Sequence, residues 1–259
     1  MFSHPDEGDR MYNEFSEVYD RFMSNIDYEK WCGFIEEIWR KYDLKPELVL
    51  DLACGTGNFT LPLSEKGYDM IGVDGSPAML AMAKDKVPED SGILFLCQDM
   101  REFELYGTVD ACICMVDGLN YLLEEQELLQ VFRLVKNYLN PGGIFIFDMN
   151  TIYKFKEIMN EGQFCDTDEN AAIIWESYYD ENDNENTYCV TIFIEDGETG
   201  LYERHEEEHY QRGYKKENVE ELIAKAGLEI LGVYGGCDDL DFEEYSETCE
   251  KMFFAVRKN

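Results

Sequence analysis

From Leu48 onward the chain alternates short apolar runs with amphipathic helical stretches, a rhythm that few folds accept. The apolar runs are Leu48–Ala53, Asp69–Asp74, Ile93–Gln98, Val109–Val116 and Gly143–Met149, and the clearest helices between them are Ser76–Val87 and Glu124–Leu139. Repeated strand-then-helix predicts a mostly parallel sheet with right-handed crossovers. Upstream, Tyr12, Phe15, Tyr19 and Phe22 share one helical face, and Trp31, Phe34, Ile35, Ile38, Trp39 and Tyr42 share another, with Asp27 as an N-cap. Between Ala171 and Gln211 the rhythm breaks into three strand-like runs, Ala172–Tyr179, Thr187–Glu195 and Leu201–Gln211, joined by short polar turns. Such runs predict an antiparallel meander. A helix over Glu217–Ala226, closed by Gly227, then leads to two last strands, Leu228–Tyr234 and Lys251–Arg257. The expected architecture is α/β: a doubly wound, mostly parallel seven-stranded sheet spanning 46–150 and 213–259. N-terminal helices (1–45) precede it, and a small antiparallel β insertion (151–212) follows its fifth strand.

Charge narrows the partners. Twenty-two basic residues against fifty-six acidic ones leave a formal net charge of −34. A phosphate backbone is bound chiefly through Lys and Arg, so this chain repels nucleic acid at long range. No apolar stretch is long enough to span a membrane, and the start, MFSHPDEGDR, lacks the basic and apolar regions of a secretory signal. Nine cysteines then read as reduced thiols, which predicts a cytoplasmic protein. Cys112 and Cys114 fall on one face of a buried strand.

The chemistry concentrates in Leu48-Val-Leu-Asp-Leu-Ala-Cys-Gly-Thr-Gly-Asn58, a strand running into a glycine turn and then a helix. Such a turn lets backbone amides approach a ligand closely. Many nucleotide-binding α/β proteins share that much, and three details sharpen it. Asp74 ends the second strand, at the interval of about twenty residues where an acid meets ribose hydroxyls. It also reads as an acid ahead of the cap pair Ser76-Pro77. The third glycine of a dinucleotide fingerprint is replaced by Thr60, which makes a poor pyrophosphate seat. Asp51 stands beside the turn, and a carboxylate there disfavours a diphosphate and suits a cationic, phosphate-free cofactor.

With Asp74-Gly-Ser76 and Gln98-Asp-Met100, the run Asp51-Leu-Ala-Cys-Gly-Thr-Gly-Asn58 resembles the cofactor motifs of class I (Rossmann-like) S-adenosylmethionine-dependent methyltransferases. Asn140-Pro-Gly-Gly143 is similar to that family's turn before the fifth strand. The opening Tyr12 to Asp20 and the later His209-x-Gln-Arg-x-Tyr214 resemble a bacterial small-molecule subgroup with an inserted β cap. The resemblance implies S-adenosylmethionine as cofactor and S-adenosylhomocysteine as product. It implies that Asp51, Ala53, Gly55, Gly57 and Asn58 border the methionine part and that Asp74 holds the ribose. Gly75, Ser76, Met79, Gln98, Asp99 and Met100 would line the adenine, Asp99 accepting from its amino group. Val116, Asp117, Asn120 and Tyr121 would stand near the sulfonium and the acceptor. Tyr12 and Tyr19 read either as core aromatics or as lid residues that pack with Tyr121 near the sulfonium. Ala53 departs from the glycine of many members. Asp117-Gly-Leu-Asn120 departs from the motif of enzymes that methylate amino groups of nucleic-acid bases.

The expected activity is methyl transfer to a small-molecule amine or hydroxyl by in-line displacement, in which positioning supplies most of the catalysis. Asp117 and His209 are the candidate bases. Residues 161–210 hold sixteen acids and one base, Arg204, which favours a cationic acceptor if they line the site. Arg212 would instead anchor a carboxylate. His205-Glu-Glu-Glu-His209 matches a zinc-protease pattern, but on a strand the two histidines stand roughly 13 Å apart, so no metal is expected. Competing readings are a nicotinamide-dependent oxidoreductase and a non-catalytic protein that binds S-adenosylmethionine.

Overall fold

A computed structural model describes residues 14–22, 26–88, 90–238 and 243–259. Tyr12 lies outside the described residues. Two helices, α1 (Glu14–Phe22) and α2 (Tyr28–Lys41), precede the sheet. Asp27 caps α2 as the sequence predicts, its carboxylate accepting from the Lys30 amide at 3.0 Å. There follow β1 (Leu48–Leu52), α3 (Thr60–Glu65), β2 (Asp69–Asp74), α4 (Pro77–Asp85), β3 (Leu94–Cys97), β4 (Val109–Cys114), α5 (Glu125–Tyr138) and β5 (Leu139–Asn150). After an inserted sheet come α6 (Lys216–Ala226), β10 (Glu229–Gly236), β11 (Glu243–Glu244) and β12 (Lys251–Arg257).

The main sheet runs β11-β10-β12-β5-β4-β1-β2-β3. Seven strands form it, and the two-residue β11 extends its edge. β1 to β5 are mutually parallel, while β12 is antiparallel to both β5 and β10. Strand order reverses between β1 and β4, which opens a crevice at their carboxyl ends where open α/β sheets bind ligands. β5 shows why the sheet is buried on both sides. Phe145 and Phe147 pack with Phe132, Val131 and Leu222 of α5 and α6, while Ile144 and Ile146 pack with Trp31, Ile35 and Trp39 of α2. β5 begins at Leu139, earlier than the sequence predicts, because Gly142 takes φ +83° and its amide bonds the Lys258 carbonyl at 2.7 Å.

The insertion is an antiparallel sheet of four strands, β6 (Gln163–Thr167), β7 (Ala171–Asp180), β8 (Glu185–Glu195) and β9 (Tyr202–Arg212). Sequence patterning misses β6, since every one of its residues is exposed and no alternation marks it. The inner face carries Ile173, Tyr188, Val190 and Ile192, packed with Phe155 and with Val18 of α1. No helix among the described residues is long and apolar enough to cross a membrane.

One buried cluster joins these parts. Lys251, fully buried at the start of β12, places its ammonium 2.9 Å from Asp117, 2.8 Å from Asp148 and 3.5 Å from Asp238. Lys154 bonds the other oxygen of Asp238 at 2.6 Å. Burial alone would lower the Lys251 pKa, but the three carboxylates win and hold it well above the ordinary value. Removing one member leaves buried charge uncompensated, so Lys251→Met is expected to cost about 3–5 kcal/mol in urea unfolding. A loss below about 1 kcal/mol, the worth of an exposed pair, would contradict the cluster's structural weight.

Candidate active site

The site grows from what the chain does after β1 and β2. Past Leu52 the backbone turns through left-handed residues, Ala53 at φ 58°, Gly55 at φ 53° and Gly57 at φ 80°. The positive φ at position 53 gives a physical reason why glycine suits it, and alanine there is mildly strained. At Gly57 the left-handed backbone strains any side chain, and a Cβ would lie 2.7 Å from Leu61 Cδ1, which would have to shift. At Gly55 a Cβ would meet no atom within 4 Å, so this peptide faces open space. Asp74, at the end of β2, ties this turn to the next: one oxygen accepts from the Gly55 amide and the other from the Ser76 amide, both at 2.8 Å. Burial raises the Asp74 pKa, and the two amides only partly counter it. Ser76 caps α4 through the Met79 amide, with Pro77 in the first turn.

These turns, with the ends of β3 and β4, enclose a cavity of about 350 Å³. Ala53, Gly55, Asn58, Asp74, Gly75, Ser76, Met79, Asp99, Met100 and Val116 all line it, together with Tyr19 and Tyr121. Sequence reasoning missed Tyr28, Thr56, Arg101 and Gly118, which line it too. Arg101 matters electrostatically. It grips Asp99 through Nε at 2.9 and 3.0 Å and reaches Glu127 at 2.8 Å. Burial opposes ionisation of Asp99, yet these bonds hold its carboxyl below the ordinary range.

Other predicted residues stand off the cavity wall. Gly57 serves the packing of the turn, and Gln98 bonds the Glu104 backbone, its carbonyl accepting from the amide at 2.6 Å. Asn120 is fully buried and binds the Asn150 and Arg212 backbones, so it ties the end of β5 to the end of β9. Arg212 donates to the Leu123 carbonyl and lies over the Tyr214 ring. Asp117 has φ 51°, and its oxygens take Lys251 at 2.9 Å and Gln211 of β9 at 2.7 Å. Val116 beside it has φ 58°, an uncommon backbone for a β-branched residue. His209 is buried behind Tyr121, its ring centroid 6.1 Å from that ring, and its Nε2 is 3.3 Å from Glu207. His205 and His209 both lie on strand β9, the geometry that separates them. Of the acids on β9, Glu203, Glu206 and Glu208 are exposed and only Glu207 faces inward, so most of that strand's negative charge faces water.

Asp51 behaves differently from the sequence expectation. β1 aims Leu50 and Leu52 into one core layer, so Asp51 points to the opposite side, under the turn. Its carboxyl accepts from the Thr60 hydroxyl at 2.5 Å and is 1% exposed. Burial pushes its pKa up to about 7, more than the Thr60 bonds restrain it. Asp51 therefore braces the turn from below, and the acids that reach the cavity are Asp74 and Asp99. The folded pKa lies above the unfolded one, so protonated Asp51 stabilises the fold at low pH. That contribution fades as pH rises from about 4 through about 7. Asp51→Asn should flatten this part of the decline in urea unfolding between pH 4 and 8. A variant that declines as steeply as the parent would refute the assignment.

The donors and faces fit S-adenosylmethionine: a half-buried acid for a ribose diol, open backbone at Gly55, and tyrosine rings, which tolerate a sulfonium. Comparison with known proteins agrees. A family model described as "Methyltransferase domain" matches residues 49–143. YqeM of Bacillus subtilis (strain 168), a methyltransferase by name, is 35% identical over 252 residues, 96% of this chain and 98% of that protein. The crystal structure of an S-adenosylmethionine-dependent methyltransferase from Clostridium acetobutylicum ATCC 824 superposes with a TM-score of 0.82 at 32% identity, covering 95% of this chain and 98% of the other. A more distant relative from Streptomyces fradiae, 23% identical over 227 residues (86% and 87% of the two chains), is named dTDP-3-amino-3,6-dideoxy-alpha-D-glucopyranose N,N-dimethyltransferase. Fold, cavity and relatives converge: the chain belongs to the class I S-adenosylmethionine-dependent methyltransferases.

Proposed function

We propose that the chain methylates a small molecule at an amine nitrogen. The observation that carries this reading is the set of tyrosines on the cavity wall. Tyr19, Tyr28 and Tyr121 line it; burial is the main cause that raises the Tyr19 and Tyr28 pKa values, and the negative charge of Asp117 adds a smaller part. Aromatic faces backed by a carboxylate favour a nitrogen that is or becomes cationic. The amino sugar in the name of the Streptomyces fradiae relative supports the same choice. A hydroxyl acceptor would gain less from such a wall.

When bound, S-adenosylmethionine supplies an electrophilic methyl group on a positively charged sulfur. The chain's own work is positioning. In this reading Asp74 holds the ribose hydroxyls, Asn58 and the Ala53–Gly55 backbone border the methionine part, and Gly75, Met79, Asp99 and Met100 flank the adenine. Residues 1–45 act as a lid and 151–212 as a cap, which exclude water from the acceptor side. Asp117, held by Lys251 and Gln211 just behind the wall, positions Val116 and Gly118 beside the acceptor, and His209 supports Tyr121 from behind. Nine free cysteines suit a reducing compartment, the cytoplasm.

Two outcomes are expected. Asp74→Ala should weaken S-adenosylhomocysteine binding about a hundredfold or more in calorimetry, as bonds to a charged group worth roughly 1.5–3 kcal/mol each are lost. Binding within about threefold of the parent would remove Asp74 from the site. Mass spectrometry of a panel of amines and matched hydroxyl analogues should show methylated amines only. Asp117→Asn should slow that transfer about tenfold or more while leaving cofactor affinity within about threefold. Product formed only from hydroxyl compounds would overturn the amine reading.

A further inference from the structure

Three consecutive residues of α1 reach three different places. Tyr19 lines the cavity, Asp20 reaches the glycine turn, and Arg21 pairs with Asp168 of the inserted sheet at 2.7 Å. The middle contact is the most connected. Asp20 Oδ1 accepts from the Thr56 hydroxyl at 2.6 Å and from the Asn58 amide at 2.9 Å. Its Oδ2 meets the Lys86 ammonium at 2.5 Å. Lys86, at the C-terminal end of α4, also donates to the Thr56 carbonyl and to the Asn58 side-chain carbonyl, both at 2.9 Å. These four residues close a loop of hydrogen bonds in which α1, α4 and the turn hold one another. Burial opposes ionisation of Asp20, but these donors keep its carboxyl below the ordinary range.

We propose that Asp20 and Lys86 are positioning residues for S-adenosylmethionine, a clip that fastens α1 to the glycine turn and sets how fast the cofactor leaves. Thr56 and Asn58 line the cavity, and the turn they belong to has no strand or helix ladder of its own, so side-chain bonds add to the few backbone bonds, Cys54 to Val73 and Gly57 to Cys54, that hold its shape. α1 is also attached to the inserted sheet, where Val18, Tyr19 and Phe22 join its core and Arg21 pairs with Asp168. With the clip broken, α1 stays on that sheet and parts from the turn, taking Tyr19 from the cavity wall. The network differs from an isolated surface pair, which contributes little, because each partner is held by two or more others. The inference rests on the cofactor alone and holds whatever the acceptor is.

The test is the dissociation rate of S-adenosylhomocysteine from the full chain, followed by displacement with excess sinefungin. Lys86→Met and Asp20→Asn should each speed release about tenfold or more, with association changed by less than about threefold. The double variant should release no faster than the faster single one, since both remove the same clip. Lys86→Arg should restore slow release. Raising NaCl from about 0.05 to about 1 M should quicken release from the parent and leave Lys86→Met unchanged. Melting of the unliganded variants within about 3 °C of the parent separates a clip from a general loss of stability. Release within about twofold of the parent in both single variants would overturn the proposal, as would effects that multiply in the double variant.

Discussion

The Asp74 carboxylate holds two loops with its two oxygens. By accepting from the Gly55 and Ser76 amides it fixes the turn after β1 against the turn after β2. Neither turn carries a ladder of its own, and both line the same cavity. A half-buried acid that accepts only two backbone bonds keeps further lone pairs for a ligand, and its raised pKa records the desolvation those bonds do not fully offset. The parallel sheet brings Asp74 and the glycine turn together, because β1 and β2 are adjacent and in register, with Leu52 opposite Val73.

The far wall is held by charge. Val116 and Asp117 keep left-handed backbones at the end of β4, a strained arrangement that persists only where neighbours over-determine it. Those neighbours are Lys251 from β12, Gln211 from the inserted sheet, and Asp148 of β5, which accepts from the Asp117 amide at 3.2 Å. The same cluster thus links strand ends, insertion and cavity wall. α1 supplies a matching link on the other side through Asp20 and Arg21. The inserted sheet is fastened to the main sheet at both ends of the cavity, so its position and the shape of the acceptor side are coupled.

The strand order and helix faces were legible because the apolar period is strong. β2 and β12 begin and end where the apolar runs do, and the α5 start is marked by a capping box between Glu124 and Glu127. Many residues of the cofactor motifs line the cavity, since their spacing reflects one turn and the adjacent strand end, while Asp51, Gly57 and Gln98 do not. What sequence could not carry was direction. Asp51 sits one residue from core leucines, and strand alternation sends it beneath the turn toward Thr60. Asn120 and Arg212 look like ligand contacts in a motif, yet both donate to backbone carbonyls instead. Lys251 and Lys86 left no signal because the partners of each lie far away in the chain. Asp117, for example, stands 134 residues before Lys251. β6 has no buried face to reveal it.

The most direct test is a crystal structure of the chain with S-adenosylhomocysteine bound. Both ribose hydroxyls are expected within about 2.5–3.0 Å of the Asp74 carboxylate, with the Gly55 and Ser76 amides still bound to it. A ribose seated elsewhere, or an Asp74 side chain turned away to bond only protein, would contradict that role.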